Sequence, residues 1–134
     1  MKKLSLFFIL CFFSPMGHTN CVTVVEDICA ELEWIDGPHL GKTSHMEVRF
    51  YDMVGSQARP IAIDYDVNLY SWMVMDNGHS HSGPQFAFYE ISPGIFESKD
   101  VRFFMGRMQG YWQIKLELLK EQKIVGEHEF AVEF

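Results

Sequence analysis

Hydrophobic and polar residues alternate with a period of two along most of the chain after its first twenty residues. Apolar side chains share one face in Ala30–Trp34 and in Met46–Phe50, and charged side chains occupy the other face. This pattern is typical of half-buried β-strands, whereas an amphipathic helix would show a 3.6-residue period. Further strands are predicted at Ile61–Asp64, Tyr70–Met75, Phe86–Tyr89, Val101–Met105, Trp112–Leu118 and Glu127–Phe134.

Residues that favour turns separate these segments, as in Asp36-Gly37-Pro38, Gly83-Pro84 and Ser92-Pro93-Gly94. We expect a last hairpin at Lys120–Lys123, with a brief helical turn as the alternative. Short strands joined by such turns predict an Ig-like antiparallel β-sandwich of about seven strands. The candidate core residues are Trp34, Phe50, Trp72, Trp112 and Phe130.

The first twenty residues have a different pattern. Met1-Lys2-Lys3 precedes the apolar run Leu4–Phe13, and turn-favouring residues follow from Ser14. A basic start, a short apolar run and a small-residue break indicate a secretory signal peptide. The run is shorter than the roughly 20 residues of a transmembrane helix. We therefore predict a signal peptide at 1–20, an exported domain at 21–134 in the periplasm or outside the cell, and no integral membrane segment after signal removal. A retained membrane anchor is the alternative.

Charge and cysteine content narrow the function classes further. Removal of Lys2 and Lys3 reduces the basic residues from 11 to 9, against 18 acidic ones. Such an acidic surface repels phosphate, so nucleic acid is not an expected partner. Cys21 and Cys29 can form a disulfide in an oxidising compartment if a turn at Glu26-Asp27 brings them together. A free Cys29, or a lipid that tethers Cys21 to a membrane, is the alternative.

Two segments differ from ordinary sandwich sequence, namely Met73–Pro84 and Met105–Trp112. In the first, Met73 and Met75 are two residues apart near the end of a predicted strand, so both should face one side of the sheet. A loop that contains Gly78 follows them.

His79 and His81 come after this loop and are also two residues apart, and Met108 lies four residues before Trp112. Thioether sulfur suits Cu(I), and imidazole suits Cu(II), Cu(I) and zinc. Calcium requires several oxygen ligands, yet Asp76 is the only acid in the loop. Zinc prefers histidine, cysteine and carboxylate to thioether. The methionines therefore favour copper as Cu(I), Cu(II) or both.

In these segments the chain resembles the YtkA-like family of small exported domains, which is related to the periplasmic part of FixH proteins. Members read Met-Pro-x-Met-x-His at a strand end and Met-x-Gly-x-Trp before a final long strand. Met75–His79 matches the first motif in part, with Asp76 and Asn77 where proline and methionine are usual, and Met108–Ile114 matches the second. The similarity spans most of residues 28–119.

The resemblance implies an Ig-like sandwich and a copper-handling function, as a copper chaperone or an accessory domain of copper enzymes. The ligands that it implies are Met75, His79 and Met108, with His81 as a fourth. A copper-donating or copper-receiving exported protein is the implied partner.

Other function classes fit the residues less well. An electron-transfer cupredoxin needs a cysteine ligand, and no cysteine follows Cys29. The chain lacks the G-x-S-x-G motif of a hydrolase, and we do not expect it to be an enzyme. The competing hypothesis is a metal-free interaction or assembly domain, in which Phe103, Phe104, Tyr111 and the methionines form an apolar contact patch.

Overall fold

The computed structural model of the protein describes residues 21–54, 57–104 and 109–134. The signal peptide predicted at 1–20 lies outside the described residues, which contain no helix long and apolar enough to cross a bilayer. The structure contains the following strands: β1 (Val22–Val25), β2 (Ile28–Asp36), β3 (Thr43–Val54), β4 (Gln57–Pro60), β5 (Asp66–Met75), β6 (Ser80–Ser82), β7 (Tyr89–Ser92), β8 (Ile95–Arg102), β9 (Gly110–Lys120) and β10 (Lys123–Ala131).

These strands form two antiparallel sheets. The large sheet has the order β1-β2-β3-β8-β7, and β4 pairs with the end of β3. The small sheet has the order β10-β9-β5-β6. The chain crosses from one sheet to the other after β4, after β6 and after β8. Each of β2–β3, β5–β6, β7–β8 and β9–β10 is therefore a local hairpin within one sheet.

The core lies between the sheets because alternate residues of the central strands face inward. On β9, Trp112, Ile114, Leu116 and Leu118 are buried, and the residues between them are more exposed. Burial of each such side chain stabilises the fold by about 1.5–3 kcal/mol. The other buried apolar side chains of the cluster come from both sheets and from the end of the chain: Ala30, Met46, Val48, Phe50, Leu69, Met73, Val101, Phe103 and Val132.

The predicted all-β fold class is confirmed, and the two facing antiparallel sheets are consistent with an Ig-like sandwich. The structure has ten strands where the sequence predicts about seven. Strands β1, β4, β6 and β7 have only three or four residues each. Such short strands are too brief for an alternating pattern to be recognised.

The prediction that Trp72 belongs to the core is wrong. Leu69, Ser71 and Met73 face inward from β5, so Trp72 lies on the outer face. Its ring packs edge-on against Tyr70 at a centroid distance of 6.2 Å, and Lys115 Nζ lies 4.2 Å from the ring centroid. Among the other core candidates, Phe50 and Trp112 are buried, and Trp34 and Phe130 pack partly buried against the core.

Two predicted strands are connections between the sheets. Ile61–Asp64 lies between β4 and β5, and Phe86–Phe88 lies before β7. The amide of Ala87 donates to the carboxylate of Asp100, and Ser98 Oγ donates to the carbonyl of Ala87. These side-chain partners replace the ladder hydrogen bonds of a strand, which is why the alternation of phenylalanines there does not produce one.

Local geometry fixes the ends of several strands. Cys21 and Cys29 form a disulfide with their Cα atoms 5.4 Å apart, which ties the start of β1 to β2. The predicted hairpin at Lys120–Lys123 is confirmed. Its two central residues, Glu121 and Gln122, have φ of 52° and 65°, as in the primed turns that match the twist of paired strands.

Candidate metal site

The candidate site is the β5–β6 hairpin, here called the Met-His hairpin and defined as residues 73–82. Its three-residue loop runs from Asp76 to Gly78. The amide of Met75 donates to the carbonyl of His79 at 2.8 Å, and the amide of Gly78 donates to the carbonyl of Met75 at 3.0 Å. Gly78 has φ of 87°, the left-handed conformation that such a loop needs at this position. The loop thus sets the register of the hairpin.

This register places the donor residues in two rows on the inner face of the small sheet. Met73 pairs with His81, and the hydrogen bond between Met75 and His79 makes these two residues neighbours as well. Residues directly opposite each other in antiparallel strands have Cβ atoms about 4.5–5.5 Å apart. Because side chains two apart on a strand share a face, two thioethers and two imidazoles lie on one side of the hairpin.

The imidazole of His81 is oriented by its neighbour in the chain. Its Nδ1 lies 2.9 Å from the carbonyl oxygen of Ser82. A carbonyl can only accept, so Nδ1 donates and the neutral ring keeps an unprotonated Nε2. Metal-binding histidines commonly donate their second ring nitrogen to a backbone carbonyl in this way. His79 has no such bond through its ring among the described residues, although its amide donates to Asn77 Oδ1 at 3.0 Å.

A cavity of about 220 Å³ opens beside this hairpin. It is lined by Met73, His81, Ser82, Gly83, Pro84, Phe104 and Trp112. Met73 is 3% exposed and belongs to the core, whereas His81 is exposed. The cavity therefore lies between a buried methionine and an exposed histidine.

Three of the four predicted ligands lie in or beside this hairpin. Met75 is partly buried, and His79 and His81 are exposed on the same face. Met108 lies outside the described residues. The sequence predicts no strand between Met75 and Phe86, whereas Ser80–Ser82 pairs with β5 as a strand. That pairing aligns His81 with Met73, which is not among the four predicted ligands.

A second group of possible ligands was not predicted from the sequence. On the outer face of the large sheet, His45, Glu47 and Glu97 each offer one atom within 4.8 Å of the others. His45 and Glu47 are two residues apart on β3, and Glu47 pairs with Glu97 of β8. The shared face of the first two could be read from the sequence. The approach of Glu97 depends on which strand β8 joins.

The carboxylates of this second group already have cationic partners. Arg49 Nη2 lies 2.6 Å from Glu47 Oε2, and Lys99 Nζ lies 3.4 Å from Glu97 Oε1. The hydrogen bond to Glu47 raises the pKa of Arg49 above its usual value. His45 Nε2 lies 3.4 Å from Glu97 Oε2, and it is buried without a hydrogen-bond partner. This group, with Arg49 and Lys99, is called the acidic cluster below.

The apolar contact patch of the competing hypothesis is only partly present at the surface. Phe103 is 0% exposed and packs edge-on against Trp112 at a centroid distance of 5.4 Å, so it cannot contact a partner. Phe104 and Tyr111 are 49% and 53% exposed. Met73 is buried in the core.

The chain was compared with protein-family models, with curated proteins and with solved structures. No family model, no curated protein and no solved structure matches it. Among the chain's own residues, those of the Met-His hairpin offer soft and borderline donors on one face of the small sheet.

Proposed function

We propose that this chain is an exported copper-binding protein that uses methionine and histidine ligands and catalyses no reaction. In this role it exchanges copper with another exported protein, as a chaperone or as an accessory domain. Met75, His79, His81 and Met108 are the ligands of this proposal, and Met73 is available beside them. The resemblance to the YtkA-like family agrees with this function.

The observation that carries the proposal is the register of the Met-His hairpin. Met73 pairs with His81, and Met75 is hydrogen-bonded to His79. Soft thioether donors and borderline imidazole donors are thus neighbours on one face. Copper is a biological metal that suits both types of donor. The hydrogen bond from His81 Nδ1 to the Ser82 carbonyl supports the same conclusion, since it leaves Nε2 free to coordinate.

The hairpin fits copper better than other metals. Calcium and magnesium bind mainly oxygen ligands, and Asp76 is the only carboxylate of the hairpin. Zinc sites rarely contain thioethers. Exposed imidazoles beside partly or fully buried thioethers would also let copper pass to or from a partner at the surface.

Titration of the domain 21–134 with Cu(I) and with Cu(II) tests this proposal. We expect one copper ion per chain, and we expect the His79→Ala, His81→Ala double variant to bind it at least tenfold more weakly, which equals about 1.4 kcal/mol. The matched control is the His39→Ala, His45→Ala double variant, which removes two histidines elsewhere. Binding in the hairpin variant as tight as in the parent would falsify the site, and a loss in the control alone would place the copper at other histidines.

A metal-free interaction domain is the second candidate, and the exposure of Phe104 and Tyr111 favours it. In that case the domain binds neither form of copper, and its stability does not change when copper is added. The titration described above separates the two functions directly.

A further inference from the structure

The pairing of three adjacent strands places His81, Met73 and Trp112 in one row. Met73 of β5 pairs with His81 of β6 on one side and with Trp112 of β9 on the other. Met73 and Trp112 face the core, where they are 3% exposed each. The row therefore runs from an exposed imidazole through a thioether to a buried indole.

The indole of Trp112 is held in place at two points. Its Nε1 donates to the carbonyl of Phe104 at 3.2 Å. A Cβ atom added to Gly83 would collide with the six-membered ring of Trp112 and with Ser71 Oγ, so the glycine allows the ring to approach the chain closely. Trp112, Met73 and His81 all line the cavity of about 220 Å³ described above.

The neighbours of this row make the cavity suited to a soft ion of low charge. Phe104, Pro84 and Gly83 complete most of its lining, and no charged residue belongs to it among the described residues. The cost of moving an ion out of water rises with its charge, which favours Cu(I) over Cu(II). Thioether sulfur also prefers Cu(I). An aromatic ring attracts a cation placed over its face.

We propose that the Met-His hairpin is selective for Cu(I), that Met73 is one of its ligands, and that Trp112 forms the inner wall of the site as an aromatic neighbour of the ion. This inference rests on the proposed function and makes it more specific. Met73 Cε lies 3.0 Å from the position of a Cβ built on Gly110, so the glycine accommodates the methyl group of Met73. His81 then supplies the ligand at the mouth of the cavity, with its Nδ1 held by Ser82.

Met73→Leu is the first test, because leucine has a similar volume and no sulfur. We expect Cu(I) affinity, measured by competition with a chelator, to fall about 10- to 100-fold. Met46→Leu is the matched control, since Met46 is 1% exposed in the same core but does not line the cavity. Equal Cu(I) affinity in the two variants would overturn the role of Met73.

Tryptophan emission provides the second test. In the Trp34→Phe, Trp72→Phe variant, Trp112 is the only tryptophan that remains. Saturation with Cu(I), or with Ag(I) as a surrogate that is not oxidised in air, should quench most of the emission of this variant. Unchanged emission at saturation would remove Trp112 from the site.

If a variant does not fold, the parent domain still decides the question. With methionine labelled by ¹³C at the methyl group, Ag(I) should shift the Met73 methyl signal and leave that of Met46 in place. Tighter binding of Cu(II) than of Cu(I) would contradict the selectivity.

These outcomes are distinct from those of the proposed function. If Met73→Leu binds as the parent does and the histidine double variant does not, the copper function stands and this inference fails. If the parent binds no copper, both fail.

Discussion

The Met-His hairpin and the acidic cluster both place histidine beside other possible metal ligands. They differ in whether those ligands already form ion pairs with cationic side chains. In the acidic cluster, Arg49 and Lys99 neutralise Glu47 and Glu97 at 2.6 and 3.4 Å. In the hairpin, neither imidazole forms an ion pair within the described part of the chain. The thioethers carry no charge that needs a partner.

This difference separates a structural network from a candidate binding site. Three glutamates, Glu33, Glu47 and Glu97, lie in register across β2, β3 and β8. Like charges that are directly opposite each other destabilise a sheet. Arg49 forms ion pairs with both Glu47 and Glu33, the latter at 3.6 Å, and so offsets the repulsion between these carboxylates. A metal there would compete with these cations. In the hairpin a metal meets no competing cation among the described residues.

Copper itself should produce the largest contrast between the two regions. A ligand that binds only the folded state adds about 2.7 kcal/mol at a hundredfold excess over its dissociation constant. We expect Cu(I) at this excess to raise the melting temperature by roughly 10 °C. The shift should persist in His45→Ala and fall to about half or less in the His79→Ala, His81→Ala variant at the same copper concentration, as measured by circular dichroism. The opposite pattern would transfer the metal site to the acidic cluster.

Gly83→Ala tests the packing behind the hairpin and should have the next largest effect. The added methyl group collides with Ser71 Oγ and with the ring of Trp112. Overpacking of this kind costs about 1–3 kcal/mol, which denaturant unfolding would measure. Because the ring must move, Cu(I) affinity should fall as well. Gly41→Ala is the control: a Cβ there contacts nothing within 4 Å, although its φ of 78° also disfavours alanine. We expect it to lose stability without any change in Cu(I) affinity.

The smallest effect is expected from Arg49→Gln in the acidic cluster. Arg49 is 37% exposed and Glu33 is 50% exposed, so water screens much of their attraction. We expect a loss of about 0.5–1 kcal/mol in the free energy of unfolding, and the loss should shrink at high salt. Copper affinity should not change. A Cu(I) affinity that rises in this variant would show that the freed carboxylates bind the metal.

The strands that the sequence predicts correctly are those long enough to show their periodicity. Ala30–Trp34, Met46–Phe50 and Trp112–Leu118 all lie within strands. Phe86–Tyr89 alternates equally well, yet β7 begins only at Tyr89. Periodicity reports which side chains can share a face and cannot report whether a neighbouring strand is present to complete the hydrogen-bonding ladder.

In the candidate site, too, the sequence predicts which side chains share a face but not which strands pair. The spacing of Met73 and Met75 predicts a shared face, and β5 extends through both residues. The sequence does not predict that Ser80–Ser82 pairs with β5, because three polar residues carry no hydrophobic pattern. For Trp72 the residue type misleads, because a large aromatic side chain is expected in the core. Its neighbours Ser71 and Met73 face inward, so Trp72 lies on the outer face of β5.

By itself, the sequence determined the fold class and the types of donor that occur together, because alternation and residue chemistry are local properties. Only the tertiary structure decided which donors become neighbours. The three-residue loop fixes the register of β6 on β5, and the pairing of β5 with β9 brings Trp112 beside Met73. The same holds for Glu97, which joins His45 and Glu47 only because β8 pairs with β3. Such contacts depend on strand order, which no single segment encodes.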